Sequence, residues 1–332
     1  MSGPSLAVVG SLLRSQLFFN PILPTSSFEG QTIIITGGNA GLGREAAKHI
    51  VRLGATRLII TARDTAKGEA AKQYIEKQTG RKDVIEVWEL DLNDFDSVRK
   101  FAKRANEHLE SLDAVIENAG MWPTRFETSE GHEATIKVNV LSTVLLANLL
   151  LPLLVQTAKT DLSKSPVLTF VNSALHKFAT LEARHSRSSL LTSLASSPID
   201  NMAFNGDMRY NDSKLILLLY AQKLSTTVPL SATTKEPLVC INNVNPGYCL
   251  SSLVIPKGFA QKTMEKIMAR STDEGARTLA DAVAADKVRP QKRWGAYIND
   301  MRVQKPAYWI DTKDGQDTKE RVWKEINAVL EL

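Results

Sequence analysis

Hydrophobic and polar positions alternate between two spacings from Gln31 onward. Short apolar or β-branched runs of strand length are each followed by a stretch in which apolar residues recur every three or four positions, the spacing of one helix face. In the first such stretch Leu42, Ala46 and Ile50 share a face, and Gly54 is expected to end the helix. The runs predicted as strands are residues 31–36, 57–62, 84–91, 113–117, 166–173 and 238–244.

This alternation predicts a doubly wound α/β fold with a parallel sheet flanked by helices. Strands joined by crossover helices run parallel and are buried on both faces, which fits the near-continuous apolar character of the runs. The helix after the third predicted strand is expected to begin after Asp91 with Asn93 as its N-cap. A later helix is expected to begin at Tyr210.

The chain has no internal repeat and no Pro- or Gly-rich linker. We therefore predict a single domain over residues 29–332, preceded by an N-terminal extension of residues 1–28. Residues 178–205 are rich in Ser and Leu and interrupt the rhythm after the fifth strand, so they are predicted to be an insertion near the substrate pocket. Their composition indicates an apolar, adaptable lid.

Composition narrows the function classes. The 332 residues are 43% hydrophobic and 23% charged, as in a soluble globular protein. Two cysteines, Cys240 and Cys249, cannot build a disulfide framework or a multi-cysteine metal site, which indicates a reducing compartment. The net charge of +5 comes from basic residues dispersed among 36 acidic ones, so no nucleic-acid partner is predicted. The five histidines lack metal-ligand spacing, and no metal site is predicted.

Two apolar segments could be membrane signals or membrane-spanning helices. Residues 6–23 are interrupted by an arginine, a glutamine, an asparagine and a proline and have no basic segment before them, so a signal peptide or an anchor is disfavoured. Peripheral membrane contact stays open as an alternative. Residues 138–155 contain several polar side chains, which favours a buried helix of the core. We therefore predict a cytoplasmic protein.

A glycine-rich turn lies where the first predicted strand meets the first helix. Residues 36–43 read Thr-Gly-Gly-Asn-Ala-Gly-Leu-Gly. Glycines there allow a tight turn and keep side chains away from backbone N–H groups, while the helix N-terminus favours negative charge. We predict a dinucleotide site, against the alternative of a glycine turn without a ligand. The expected contacts are Gly37, Asn39, Gly41, Leu42 and Gly43.

The end of the second predicted strand bears on the choice of dinucleotide. It reads Ala62-Arg63-Asp64. Ala62 leaves room and Arg63 offers a guanidinium to a 2′-phosphate, so we infer NADP rather than NAD. Asp64 leaves an alternative open, because it could pair with Arg63 or accept a hydrogen bond from a ribose.

Tyr210 and Lys214 are four positions apart and therefore share a helix face. An ammonium at that distance would lower the pKa of the phenol and suit it to acid–base chemistry near neutral pH. Such a pair on its own is common on protein surfaces. Together with the glycine turn it indicates a reacting centre.

At this point the sequence resembles the short-chain dehydrogenase/reductase family, from about residue 28 almost to the C-terminus. The turn at 36–43 matches TGxxxGxG, residues 117–120 match NNAG with Glu117 in the first position, and Asn245-Pro246-Gly247 with Ser251 matches PGxxxT with Ser for Thr. The resemblance is strongest to retinol-dehydrogenase-like and fungal secondary-metabolism members. It implies a Rossmann fold and further cofactor contacts at Asp91, Leu92, Asn118, Ala119, Gly120, Tyr210, Lys214, Pro246, Gly247 and Ser251.

The resemblance also implies catalytic roles for four residues, Asn139, Ser173, Tyr210 and Lys214. Tyr210 would exchange a proton with the substrate oxygen, and Ser173 would donate a hydrogen bond to the same oxygen. Lys214 would also hold the nicotinamide ribose, and Asn139 would support a water linking Lys214 to solvent. His176, three residues beyond Ser173, could face the substrate.

We therefore expect an NADP(H)-dependent oxidoreductase that interconverts a carbonyl and an alcohol on an apolar small molecule such as a polyketide, steroid, retinoid or other lipid-like compound. The resemblance favours a ketoreductase of secondary metabolism. Two alternatives remain: a C=C or imine reductase on the same scaffold, and a noncatalytic NADP-binding regulatory protein. The apolar helices that begin near Glu133 and Tyr210 leave a homodimer open, although core burial explains the same positions.

Overall fold

The computed structural model describes residues 6–196, 204–250 and 268–332. In these residues eight strands form one sheet, in the order β10-β9-β8-β7-β4-β1-β2-β3, and two short strands, β5 and β6, form a separate hairpin. The strands are β1 (Thr32–Ile35), β2 (Arg57–Ala62), β3 (Ile85–Glu89), β4 (Ala114–Glu117), β5 (Thr128–Ser129), β6 (His132–Glu133), β7 (Val167–Val171), β8 (Cys240–Asn245), β9 (Tyr297–Asn299) and β10 (Arg302–Gln304).

Helices cover both faces of the sheet. A π-helical segment, Lys137–Ser142, joins α5 to α6, and 3₁₀ turns lie at Ala174–Phe178, Glu182–His185, Ala285–Lys287 and Tyr308–Asp311. The helices are α1 (Leu6–Phe18), α2 (Gly41–Arg52), α3 (Thr65–Thr79), α4 (Phe95–His108), α5 (Ala134–Ile136), α6 (Thr143–Thr160), α7 (Leu190–Ala195), α8 (Gly206–Ser225), α9 (Thr272–Ala282), α10 (Val288–Gln291) and α11 (Lys313–Leu330).

Side chains of one strand point alternately to the two faces, and the core is divided accordingly. In β1, Ile34 packs in the core layer that includes residues of α4, α6, α8 and α11. Its neighbours Ile33 and Ile35 pack in the opposite layer, which includes residues of α2, α3 and α9. The structure confirms the doubly wound α/β fold with a sheet buried on both faces.

The six predicted strands are confirmed, with small differences at their ends, and they pair in parallel from β3 across to β8. Strands β9 and β10 were not predicted: β9 pairs in parallel with β8, and the edge strand β10 is antiparallel to β9. Its hairpin turns at Asp300 and Met301, both with positive φ. Strands of three residues are too short to give a readable period, which explains the omission.

Two predicted helix starts are wrong. The N-cap of α4 is Asp94 rather than Asn93, because the Asp94 carboxylate accepts from the N–H of Asp96 at 2.8 Å. Asn93 instead donates its backbone N–H to Asp91. Helix α8 begins at Gly206, four residues before Tyr210, with Asn205 as its N-cap. Tyr210 therefore lies in the second turn, inside the helix.

Hydrogen bonds join the predicted insertion, residues 178–205, to α11. Four of its leucines pack in the core: Leu181, Leu190, Leu191 and Leu194. Its role as a lid stays a prediction. Arg321 of α11 donates to the carbonyl oxygens of Arg184, Ser186 and Ser188. Residues 197–203 of the insertion lie outside the described residues.

The most apolar helix of the chain belongs to the core. The continuous helix Ala134–Thr160 is long and apolar enough to cross a membrane, but 67% of its most apolar window is buried inside the molecule. Helix α8 is likewise buried within a single chain, since Tyr220 stacks on Trp323 of α11 at 4.8 Å. Burial within one chain therefore explains the apolar positions of α8 without a second subunit.

Candidate active site

The predicted site residues meet at one edge of the sheet. Parallel strands present their carboxyl ends on the same side, and β1 and β4 lie next to each other at the point where the strand order reverses. The glycine turn 36–43 follows β1, residues 118–120 follow β4, Ser173 follows β7, and Pro246 follows β8. In an open α/β sheet this crevice is where ligands bind.

Thr36 and Asn118 support the glycine turn through hydrogen bonds with the backbone. The Thr36 hydroxyl accepts the backbone N–H groups of Asn118 at 2.9 Å and Ala119 at 3.0 Å. The Asn118 amide donates to Thr36 O at 2.8 Å. A Cβ at Gly43 would lie 2.5 Å from Gly37 O and 2.6 Å from Asn118 Nδ2, so only glycine fits there. Asn118 thus shapes the turn from the protein side.

The turn fits a pyrophosphate. Gly37 and Gly41 have φ of +64° and +54°, and a Cβ at Gly41 would meet nothing within 4 Å. Ala40, the N-cap of α2, supplies no capping side chain, so the N–H groups of the first turn are left for an anion. Asn39 and Leu42 lie on the same turn.

The other predicted cofactor contacts flank this turn at the ends of β2 and β3. Arg63 is exposed, and its guanidinium makes no hydrogen bond or ion pair with the described residues. Asp64 does not pair with it: the Asp64 carboxylate caps α3 by accepting from Ala66 at 3.0 Å. After β3, Asp91 accepts from the backbone of the next turn and Leu92 is buried.

Tyr210, Ser173 and Lys214 come together across α8 and β7. Tyr210 is 6% exposed, and the Ser173 side chain lies close enough to influence the acidity of its phenol. The ammonium nitrogen of Lys214 lies 5.7 Å from the centre of the phenol ring and donates to Val171 O at 2.8 Å. The structure thus brings three of the four predicted catalytic residues into one buried cluster.

Burial outweighs the lysine in setting the acidity of Tyr210. Burial raises the pKa of Tyr210 to about 12, although the hydrogen bond from Ser173 acts in the opposite direction. Burial also lowers the pKa of Lys214 to about 8. The expectation that Lys214 lowers the phenol pKa is therefore wrong in this state. The phenol holds its proton at neutral pH, as a general acid must.

Asn139 lies in the π-helical segment and anchors the turn after β4. Its Oδ1 accepts the Met121 N–H at 2.8 Å, and its Nδ2 donates to Met121 O at 2.9 Å and to Ser213 at 3.0 Å. Gly120 lies against it, since a Cβ there would be 3.1 Å from Asn139 Oδ1 and 3.8 Å from Lys214 Nζ. Single π turns often occur at functional sites.

Two side chains near the cluster have roles that the sequence left open. Trp122 stacks on Tyr210, with ring centres 4.0 Å apart and planes 15° apart, and donates its indole N–H to Asp207 at 2.9 Å. His176 is fully buried, and both of its ring nitrogens contact the backbone. Its Nδ1 donates to Ser173 O at 2.7 Å, and its Nε2 accepts the Ala307 N–H at 3.1 Å.

The segment after β8 completes this edge of the sheet. Gly247 has φ of +82°, and a Cβ there would lie 2.4 Å from Arg270 Nη1. Pro246 O accepts from the same guanidinium at 3.1 Å. Ser251, the last predicted contact, lies outside the described residues.

Known proteins resemble the whole chain. The short chain dehydrogenase family profile matches residues 31–162. The short-chain dehydrogenase anuD of Penicillium roqueforti (strain FM164) is 36% identical over 327 residues, which cover 97% of this chain and 83% of that protein. The short chain dehydrogenase/reductase dmxR8 of Cryptosporiopsis sp. (strain 8999) is 38% identical over 323 residues, 96% of each chain.

Solved structures agree in fold. A short chain dehydrogenase from Escherichia coli CFT073, determined with NADPH, has a TM-score of 0.59 at 22% identity and covers 83% of this chain and 99% of its own. Carbonyl reductase Sniffer of D. melanogaster has a TM-score of 0.59 at 18% identity with the same coverage. With the fungal relatives and the motif geometry, this agreement leads to one assignment. The chain belongs to the short-chain dehydrogenase/reductase family of oxidoreductases.

Proposed function

We propose that the protein is an NADP(H)-dependent reductase that converts a carbonyl group of an apolar small molecule to an alcohol. The observation that carries this proposal is the buried, protonated phenol of Tyr210 with Ser173 beside it, at the sheet edge that also holds the glycine turn. A protonated acid next to a dinucleotide cradle suits reduction.

The residues divide the reaction between them. When bound, the nicotinamide supplies a hydride to the carbonyl carbon. Tyr210 gives its proton to the carbonyl oxygen, so the substrate gains one hydride and one proton and leaves as the alcohol. The Ser173 hydroxyl donates to the same oxygen and stabilises the charge that develops on it. Lys214 and a water held near Asn139 return a proton to Tyr210.

The same electrostatics supports reduction as the direction that we propose. Oxidation would need a phenolate at Tyr210. Burial disfavours that form, because it raises the pKa of Tyr210 to about 12. Reduction needs the neutral phenol, which the site already holds. Cells usually keep NADP reduced, which supports the same direction.

NADP rather than NAD is favoured by Arg63. Its side chain is exposed beside the end of β2, and the chain has Ala62 at the position where an acidic residue would bind a ribose hydroxyl. Asp64, the residue that weakened this interpretation, is engaged as the cap of α3. The bound NADPH of the Escherichia coli structure is consistent with this choice.

For the substrate we propose an apolar, planar compound of fungal secondary metabolism, such as a polyketide. The indole of Trp122, half-buried and stacked on Tyr210, offers an aromatic wall next to the reacting oxygen. The relatives that match the full chain are fungal short-chain dehydrogenases. We propose action in the cytoplasm; a homodimer stays a prediction that light scattering would measure.

Oxidation of NADPH across a panel of apolar ketones, aldehydes, activated alkenes and imines tests the reaction class. We expect turnover of carbonyls, reduced about a hundredfold or more in Tyr210→Phe. Tyr308→Phe is the matched control, since Tyr308 is 79% exposed. Turnover of alkenes or imines alone would favour the alternative reductases. NADPH binding without any turnover would favour a regulatory protein.

A second experiment tests the cofactor. The double variant with Ala62→Asp and Arg63→Gln should lower the preference for NADPH over NADH by about tenfold or more, because it removes the cation and adds an acceptor for a ribose hydroxyl. Lys67→Ala removes another exposed cation from the same surface and should leave the preference unchanged. Unaltered selectivity in the double variant would contradict the role of Arg63.

A further inference from the structure

We propose that α1, in the N-terminal extension, belongs to the active site, and that Gln16 is a positioning residue for the turn Pro246-Gly247-Tyr248. This inference rests on the proposed function. It takes the turn to lie at the nicotinamide end of the cofactor site, because the residue before it, Asn245, is hydrogen-bonded to the backbone that follows Ser173. It assigns a role to a segment outside the predicted domain.

The Gln16 amide uses both its donor and its acceptor atoms. Its Nε2 donates to Tyr248 O at 2.8 Å and to Met268 O at 2.6 Å. Its Oε1 accepts the Tyr248 N–H at 3.0 Å. The side chain therefore binds the backbone of Tyr248 on both sides and joins it to Met268. A carboxylate could keep only the acceptor contact, and an apolar side chain could keep none.

Arg270 connects the same turn to α1 from the other side. Its guanidinium donates to Pro246 O at 3.1 Å, to Ser15 O at 2.8 Å, and to Phe19 O at 3.1 Å. Its backbone N–H donates to Tyr248 O at 2.9 Å. The turn is thus held between α1 and Arg270, which is itself buried.

The turn also contacts the catalytic strand. Asn245, the last residue of β8, accepts the Ala174 N–H at 3.1 Å, directly after Ser173. Gly247 has φ of +82°, so the chain bends sharply there. A small displacement of this bend would change the direction of the residues that follow it. Because Gln16 fixes the residue that follows, its loss would change the surface presented to the nicotinamide.

Helix α1 contributes little apolar burial of its own. Leu6, Leu13 and Leu17 are 91%, 42% and 49% exposed. In the described part of the chain, its side-chain hydrogen bonds go from Ser15 to Asp300 and from Gln16 to the turn. Asp300 also accepts from Arg270 at 3.2 Å. The contacts of α1 are therefore concentrated on the segment that it positions.

Cofactor binding tests the proposal without knowledge of the substrate. Gln16→Met keeps the size of the side chain and removes its three hydrogen bonds, so NADPH should bind about tenfold more weakly. Adenosine 2′,5′-bisphosphate lacks the nicotinamide half and should bind as to the wild type. If Gln16→Met instead destabilised the whole protein, the binding of both ligands would weaken together. Fluorescence titration measures NADPH, and calorimetry measures the bisphosphate.

Two further variants sharpen the result. Gln16→Glu places a carboxylate against two carbonyl oxygens and should weaken NADPH binding at least as much as Gln16→Met does. Arg14→Ala, exposed on the same helix, should change neither ligand. Equal NADPH affinity in wild type and Gln16→Met, or equal loss for both ligands, would overturn the role of Gln16. Failure of the wild type to bind NADPH would instead overturn the proposed function.

Discussion

The Glu117 carboxyl is the residue at which the site departs most from its family motif. It is buried at the end of β4, where the Thr36 hydroxyl donates to Oε2 at 3.3 Å and Oε1 has no partner among the described residues. Burial raises its pKa to about 8, against a smaller lowering by the bond from Thr36. At neutral pH the side chain is therefore a neutral acid next to the glycine turn.

Replacing this carboxyl should change how stability depends on pH. Because the folded pKa lies above the ordinary 4.5, the contribution of Glu117 to stability is fully present below pH 4.5 and is lost as the pH rises through about 8. Relative to Glu117→Gln, the wild type should lose about 1.4 kcal/mol of unfolding free energy per pH unit in that window. Urea unfolding across the window measures the difference.

Glu89→Gln is the matched control, because Glu89 is exposed at the end of β3. Its stability should stay parallel to that of the wild type. If Glu117→Gln also runs parallel to the wild type over the window, the carboxyl does not titrate there and its assignment as a neutral acid fails.

At the scale of elements, the glycine turn, Ser173 and Pro246 lie where strands end, whereas the other catalytic candidates lie on α8 and on the π-helical segment. The start of α2 has no capping side chain, whereas α3, α4, α8 and α9 are capped by Asp64, Asp94, Asn205 and Ser271. Capping side chains satisfy N–H groups that an anion would otherwise bind. The exception among these helices is thus the one that faces the cofactor site.

Gly43→Ala should test how tightly the turn is packed against α2. The new methyl group would meet Gly37 O at 2.5 Å, so the turn must open at a cost of about 1–3 kcal/mol in stability. NADPH binding should weaken with it, since the N–H groups would be redirected. Gly10→Ala, where a Cβ meets nothing within 4 Å, serves as the control. Retained stability and affinity in Gly43→Ala would contradict this packing argument.

For the whole molecule, contacts between distant parts of the chain tie the layers together. Helix α11 covers α8 through the Tyr220–Trp323 stack and holds the insertion through Arg321 and Glu325. His176 links the backbone of Ser173 to that of Ala307. The catalytic strand ends are thus fixed by elements far along the sequence.

We propose that the single domain predicted over residues 29–332 unfolds as one unit. We expect one cooperative urea transition, because separation of α11 would expose the core of α8. Tryptophan fluorescence and far-ultraviolet circular dichroism should give the same midpoint, since the five tryptophans are spread from β3 to α11. Two distinct midpoints would indicate separate units and contradict the prediction.

The sequence alone determined the strand order along the chain, the glycine turn, and the spacing of Tyr210 and Lys214. These features depend on local periodicity and on residues a few positions apart, which propensity and turn chemistry fix directly. The prediction that Asn93 caps α4 was wrong because the next residue, Asp94, takes that role. The three-residue strands of the terminal hairpin are too short for a period to form.

Only the tertiary structure decided which distant residues meet. Gln16 and Tyr248 are 232 positions apart, and His176 and Ala307 are 131 apart, so no local pattern indicates either contact. The high pKa of Tyr210 has the same origin, because spacing predicts the neighbouring lysine but not the burial that outweighs it. Burial depends on how complete elements pack, and that packing is a property of the folded chain.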